Sequence, residues 1–92
     1  MKVFKSICID KETRMEMVAS ECSYNEACCY LSKLHLGKKE MYAVVIDARY
    51  KVLLVNGHYY VYDEHEGFLM RTTKEKLRQW KNDRKLGKRK NH

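Results

Sequence analysis

The hydrophobic positions change period several times along this chain, and each change marks an expected element. Residues 2–10 and 13–20 read as two strands of a hairpin turning at Lys11-Glu12. On the second strand Met15, Met17 and Ala19 alternate with Arg14, Glu16 and Ser20, the period of two expected when one face is buried. From Ser23 the period lengthens. Ser23-Tyr24-Asn25-Glu26 matches a capping box, in which the Ser23 hydroxyl takes the Glu26 N–H and the Glu26 carboxylate returns to the Ser23 N–H. At 100° per residue Tyr24, Ala27, Tyr30, Leu31, Leu34 and His35 gather on one side of the resulting helix, with Asn25, Glu26, Cys29, Ser32 and Lys33 opposite. Gly37 supplies the expected stop.

Residues 41–47 and 50–55 are nearly continuous β-formers, the pattern of strands covered on both faces. Asn56-Gly57 is a strong hairpin signal, because a type I′ turn needs φ > 0 at both central residues. It also sets a register, with Val55 opposite His58, Leu54 opposite Tyr59, Leu53 opposite Tyr60 and Val52 opposite Val61. One face then carries Val52, Leu54, Tyr59 and Val61 and is expected to be core. The other carries Lys51, Leu53, Val55, His58, Tyr60 and Tyr62, a mixed surface. Asp63-Glu64-His65-Glu66-Gly67 reads as a solvated turn, and Phe68-Leu69-Met70 as a short edge strand or a lead into the last helix. Thr72 or Thr73 caps that helix, expected to run to about Leu86 with Leu77 and Trp80 as its apolar anchors. The order is ββαβββα: a single small α+β domain with an antiparallel β-sheet and a basic C-terminal helix, divided into a globular part over residues 1–80 and a basic helical extension over residues 81–92.

Length and composition agree with one core. The 92 residues are 45% hydrophobic and 34% charged, a globular rather than a disordered balance. No run of about 18 apolar residues is present and the first ten residues lack a signal-peptide core, so the expectation is an intracellular protein that does not enter a membrane. Four cysteines (Cys8, Cys22, Cys28, Cys29) are expected as free thiols, since Cys22-x5-Cys28 lacks the short knuckle of a structural zinc site; no metal or other cofactor is expected.

Charge alters the picture most. Residues 71–90 hold ten basic side chains against Glu75 and Asp83, a local excess of +8, whereas residues 1–70 hold nine basic and ten acidic ones. The net charge of +7 therefore belongs to one segment. Such a block attracts polyanions, and each phosphate neutralised releases counterions. Lys74, Arg78, Lys81, Arg84, Lys85, Lys88, Arg89 and Lys90 are accordingly the expected nucleic-acid contacts, with His58, Tyr60 and Tyr62 as a second surface on which bases would stack. Neither DNA nor RNA is singled out, because no helix-turn-helix, zinc finger or RNP aromatic pair is present. A competing class is an accessory or inhibitor module that docks the same helix on an acidic protein surface. A third is a compact metal-independent ribonuclease using His58, Tyr60, Tyr62, Lys51 and Arg71, although no phosphate loop, nucleophile elbow or HExxH motif occurs. His35, at the edge of the apolar helical face, is expected to be a packed, hydrogen-bonded histidine. The αβββα order of the later chain, with its basic second helix, is similar to that of double-stranded RNA-binding domains; Glu75 interrupts the lysine cluster that such domains carry at the start of that helix.

Overall fold

The computed structural model describes residues 1–35 and 41–90. Its elements are β1 (Lys2–Ile9), β2 (Glu16–Ser20), α1 (Tyr24–Leu34), β3 (Met41–Val45), β4 (Tyr50–Val55), β5 (His58–Asp63), β6 (Phe68–Thr72) and α2 (Lys74–Lys90). Among the described residues the strands form one antiparallel sheet in the order β1-β2-β6-β5-β4-β3. The α+β class and the element order stand, with one strand more than ββαβββα. Phe68–Thr72 is that strand, and it lies in the centre of the sheet between β2 and β5 rather than at an edge. The later chain is therefore αββββα, and the likeness to the αβββα order ends at this added strand.

Local chemistry explains the elements that match expectation. In the capping box the Ser23 hydroxyl accepts from the Glu26 N–H at 3.2 Å and the Glu26 carboxylate accepts from the Ser23 N–H at 3.1 Å. Those two bonds hold the Glu26 carboxyl below the usual carboxylate range. The expected Gly37 stop lies outside the described residues. At the hairpin Asn56 and Gly57 take φ of 50° and 79°, and the β4–β5 register has every expected pair. In the β1–β2 turn the Asp10 carboxylate accepts from the Thr13 N–H at 2.9 Å and from its hydroxyl at 2.8 Å.

The sheet is covered on both faces, by one helix each. On one side α1 buries Ala27 and Leu31 against Ala19, Leu53, Val55, Tyr60, Tyr62 and Leu69. On the other side Leu77 of α2 is buried with Met15, Tyr50, Val52, Val61 and Met70, and Trp80 packs against that cluster. Tyr60 and Tyr62 alternate with Val61 along β5, so two cores on opposite faces follow from the pleat. Three expectations change here. The face of Tyr60 and Tyr62 is core rather than surface, while Tyr59 on the other face is half-buried. Met15, Met17 and Ala19 do not share a face: the β2–β6 register shifts between Met17 and Ala19, so Met17 opposes Met70 on the α2 side and Ala19 opposes Leu69 on the α1 side. Finally, β3 is not a covered strand but an edge, with Val44 55% and Val45 63% exposed.

A close approach joins the two ends of the α1 core. Gly67, at φ 68°, brings its backbone so near Cys22 that a Cβ there would lie 3.0 Å from the Cys22 carbonyl oxygen. The same oxygen accepts from the Tyr62 hydroxyl at 2.7 Å, and the Cys22 N–H donates to the Gly67 carbonyl at 3.2 Å.

Candidate nucleic-acid interface

The chain reaches α2 directly from β6, and Thr73 starts the helix: its hydroxyl accepts from the Lys76 N–H at 3.2 Å and its carbonyl from the Leu77 N–H at 2.9 Å. Leu77 and Trp80 then tie the helix to the sheet. Leu77 is 5% exposed, and the Trp80 ring meets the buried Tyr50 ring edge to face at 4.9 Å between centroids. From Trp80 onward the spacing that would continue an apolar stripe falls on Lys81, Arg84 and Lys85. The helix nonetheless continues to Lys90.

Of the expected contacts, Lys74 and Arg78 are exposed and Lys81 is half-buried, and Lys76 is exposed beside them. None of these four forms an ion pair among the described residues. By contrast Arg49, Lys51 and Arg71, on or beside β4 and β6, have carboxylate partners. Arg49 bonds Asp63 and Glu12, both at 2.9 Å, Lys51 meets Glu64 at 2.6 Å, and Arg71 meets Glu16 at 2.8 Å. A paired carboxylate largely cancels the field of its cation beyond a few ångströms, so these three add little to the far field. The side chains of Arg84, Lys85, Lys88, Arg89 and Lys90 lie outside the described residues.

The second expected surface does not exist as an aromatic one. Tyr60 is 2% and Tyr62 4% exposed, because α1 lies over them. Their hydroxyls are already engaged, Tyr62 with the Cys22 carbonyl and Tyr60 with His35 Nε2 at 2.8 Å, and burial pushes both phenols above the ordinary tyrosine pKa. Neither ring has a free face on which a base could stack. Of that trio His58 remains exposed, stacked on His35 with 5.1 Å between ring centroids. His35 is thus the packed, hydrogen-bonded histidine expected, and burial, reinforced by the neighbouring His58, lowers its pKa.

What the structure adds is a juxtaposition. His58 shares a hollow of about 300 Å³ with Glu16, Arg71, Thr73 and Lys76, at the point where β6 passes into α2. The sequence grouped His58 with Arg71 but not with Glu16, Thr73 or Lys76, because that depends on the β5–β6 pairing, which sets Arg71 opposite Tyr60 and so beside the His58 end of β5. A second hollow of about 660 Å³ lies along α2 against the β1–β2 turn, with Arg14 and Lys76 but also Glu12 and Asp83 in its wall beside Trp80. Its mixed sign makes it a weaker anion site than the outer side of the helix.

The ribonuclease constellation is not assembled into an open site. Lys51, His58, Tyr60 and Tyr62 share a face, but the two tyrosines are buried, and Lys51 and Arg71 are paired with carboxylates. The acidic turn has a structural centre as well: Asp63, 2% exposed, accepts from Arg49 and from the His65 and Glu66 N–H groups, while Glu64, His65 and Glu66 are exposed. Among the described residues no three His, Cys, Asp or Glu side chains gather as a metal site, all four cysteines are free, and no helix is long and apolar enough to cross a membrane. Comparison with protein-family models, with curated proteins and with solved structures finds no match to this chain.

Proposed function

We propose that this chain is a nucleic-acid-binding module that lays its basic C-terminal helix along a phosphate backbone. The observation that carries the reading is the segregation of charge. The whole positive excess lies in residues 71–90, nearly all of it on α2, where Lys74, Lys76, Arg78 and Lys81 have no carboxylate partner among the described residues, next to a body that is close to neutral. From Trp80 onward the sequence offers no apolar stripe of the kind that normally stabilises helices in proteins by packing. Phosphates would supply favourable contacts along that stretch. Lys76, in the hollow beside His58, carries the unpaired charge back toward the sheet, so Lys74, Lys76, Arg78, Lys81 and the basic residues at 84, 85 and 88–90 form the principal contact and His58 a marginal one. Tyr60 and Tyr62 are withdrawn from the proposed surface. Binding of this kind reads backbone charge rather than base identity.

The experiment is a salt titration of affinity for labelled duplex DNA, duplex RNA and single strands, with the full chain and with a variant ending at Trp80. Contact with four to six phosphates gives a slope of log K against log salt of roughly −3.6 to −5.4 on a duplex. Truncation should lower the helical ellipticity by the part of α2 it removes, leave the thermal transition cooperative, and remove most of the affinity. Equal affinity in both proteins refutes the reading. Affinity for an acidic protein with none for any nucleic acid would move the same helix to the competing class.

A further inference from the structure

We infer that Arg14 is a phosphate contact: the β1–β2 turn places it with Lys76 in the wall of one hollow, so that a nucleic-acid backbone is held by α2 and by the turn together. This role rests on the reading of α2 as a nucleic-acid-binding helix. Arg14 takes φ of 65°, in the left-handed region where a Cβ crowds the following carbonyl oxygen. The turn accounts for the angle. The Asp10 carbonyl accepts from the Arg14 N–H at 2.9 Å and the Asp10 N–H donates to the Met15 carbonyl at 3.0 Å, which closes the loop around residue 14. It does not account for the residue. Glycine or asparagine takes this conformation at lower cost, and Asn56-Gly57 is the pair found at the β4–β5 turn.

Nothing within the fold offsets that strain. Arg14 is exposed, and among the described residues its side chain forms no ion pair and no hydrogen bond. A residue held in a sparsely populated conformation without a structural return points to a function. Glu21, at φ 54°, is strained and exposed too. What sets Arg14 apart is its charge and its place.

The place is the hollow of about 660 Å³ between the turn and α2, where Arg14 and Lys76 share a wall with Glu12 and Asp83. The two carboxylates do not oppose an anion equally. Glu12 has both oxygens on Arg49, at 3.2 and 2.9 Å. Asp83 lies seven residues beyond Lys76, about 10.5 Å along the helix at 1.5 Å per residue. Arg14 belongs to the Lys76 end, because Glu16, two residues on, shares the neighbouring hollow with Lys76. There two unpaired cations stand together, and the carboxylates beside them, Glu12 and Glu16, are taken by Arg49 and Arg71. A guanidinium and an ammonium suit the oxygens of one phosphodiester, which positions a strand without reading its bases.

The test is a salt titration of affinity for labelled duplexes, joined to thermal melts, on the full chain and its variants Arg14→Asn, Arg14→Gly, Arg14→Lys and Lys11→Asn. Losing one phosphate contact lowers the magnitude of the slope of log K against log salt by about 0.9, or about eightfold in affinity at about 0.1 M salt. Arg14→Asn and Arg14→Gly should show that loss together with a melting temperature above the parent's, because both relieve the backbone. Binding that weakens while the fold strengthens separates a contact from a structural part, whose loss lowers both. Arg14→Lys should keep the parent slope, since counterion release counts charges. Lys11→Asn removes the same charge from an exposed position of the same turn, outside the hollow, and should keep it too. An unchanged slope in Arg14→Asn and Arg14→Gly overturns the role of Arg14 and leaves the helix reading standing. So does a melting temperature that falls with the affinity, or a Lys11→Asn protein that loses as much as Arg14→Asn. A parent that binds no nucleic acid at any salt removes both.

Discussion

Replacing Tyr60 separates a core residue from a binding residue. Tyr60 is 2% exposed beneath α1, in a cluster with Leu31, Leu53 and Leu69, and its hydroxyl bonds His35 Nε2 at 2.8 Å. Tyr60→Ala removes a whole aromatic ring from a packed site, a change that costs about 3–5 kcal/mol. A domain of 92 residues is stable by about 5–14 kcal/mol in total, so the variant should sit near the edge of folding. Its melting temperature should fall by at least about 12 °C, given about 4–8 °C per kcal/mol for a domain of this size. Tyr60→Phe keeps the ring and loses only the bond to a half-exposed histidine that water can replace, about 0.5–1 kcal/mol. Tyr59, half-buried on the α2 side, should cost about 1–1.5 kcal/mol as Tyr59→Ala, roughly half the value of burying such a side chain fully. Urea unfolding followed by circular dichroism measures all three, with the midpoint moving and the slope constant. Nucleic-acid affinity of the folded Tyr60→Phe protein should equal that of the parent. A Tyr60→Ala protein no less stable than Tyr59→Ala would refute this placement of α1, and a stable Tyr60→Ala protein with weakened binding would return the aromatic face to the interface.

Two further outcomes are expected. Asp63→Ala should destabilise by about 2–3 kcal/mol, below the 3–5 of a fully buried broken pair because Arg49 keeps Glu12 and some solvent, and Asp63→Asn should cost less because its amide oxygen still accepts from the His65 and Glu66 N–H groups; urea midpoints compare them. His35 has its pKa lowered in the fold, so the folded state binds its proton less readily than the unfolded chain, and stability present above about pH 6.5 should decline as the pH falls through the lowered folded value. Thermal melts between pH 7 and 5 should show this, and His58→Ala should flatten the decline by removing the neighbouring charge; an unchanged slope would mean that the stacked pair does not couple.

What the sequence determined by itself are the features whose chemistry closes within a few residues. Ser23 and Glu26 satisfy each other's backbone donors wherever that segment lies, so the start of α1 was legible. Asn56-Gly57 imposes positive φ locally, and from that turn the β4–β5 register follows by counting. The charge excess of residues 71–90 is a property of composition and needs no fold. The remaining features depend on which segments meet. Phe68–Thr72 has the same local appearance at an edge as in the centre, and only its two neighbours, β2 and β5, decide that it is central. The shift between Met17 and Ala19 exists only in the pairing of β2 with its neighbours, yet it moves Ala19 to the opposite core. Residues 41–45 read as covered because they are apolar, but cover is supplied by helices, and on this edge strand Val44 and Val45 stay exposed. Tyr60 and Tyr62 read as an aromatic surface for the converse reason: a tyrosine on a strand suits solvent or core equally well, since its ring can be buried and its hydroxyl satisfied by one acceptor. Where α1 comes to rest supplied those partners, His35 and the Cys22 carbonyl, and took the two rings out of reach.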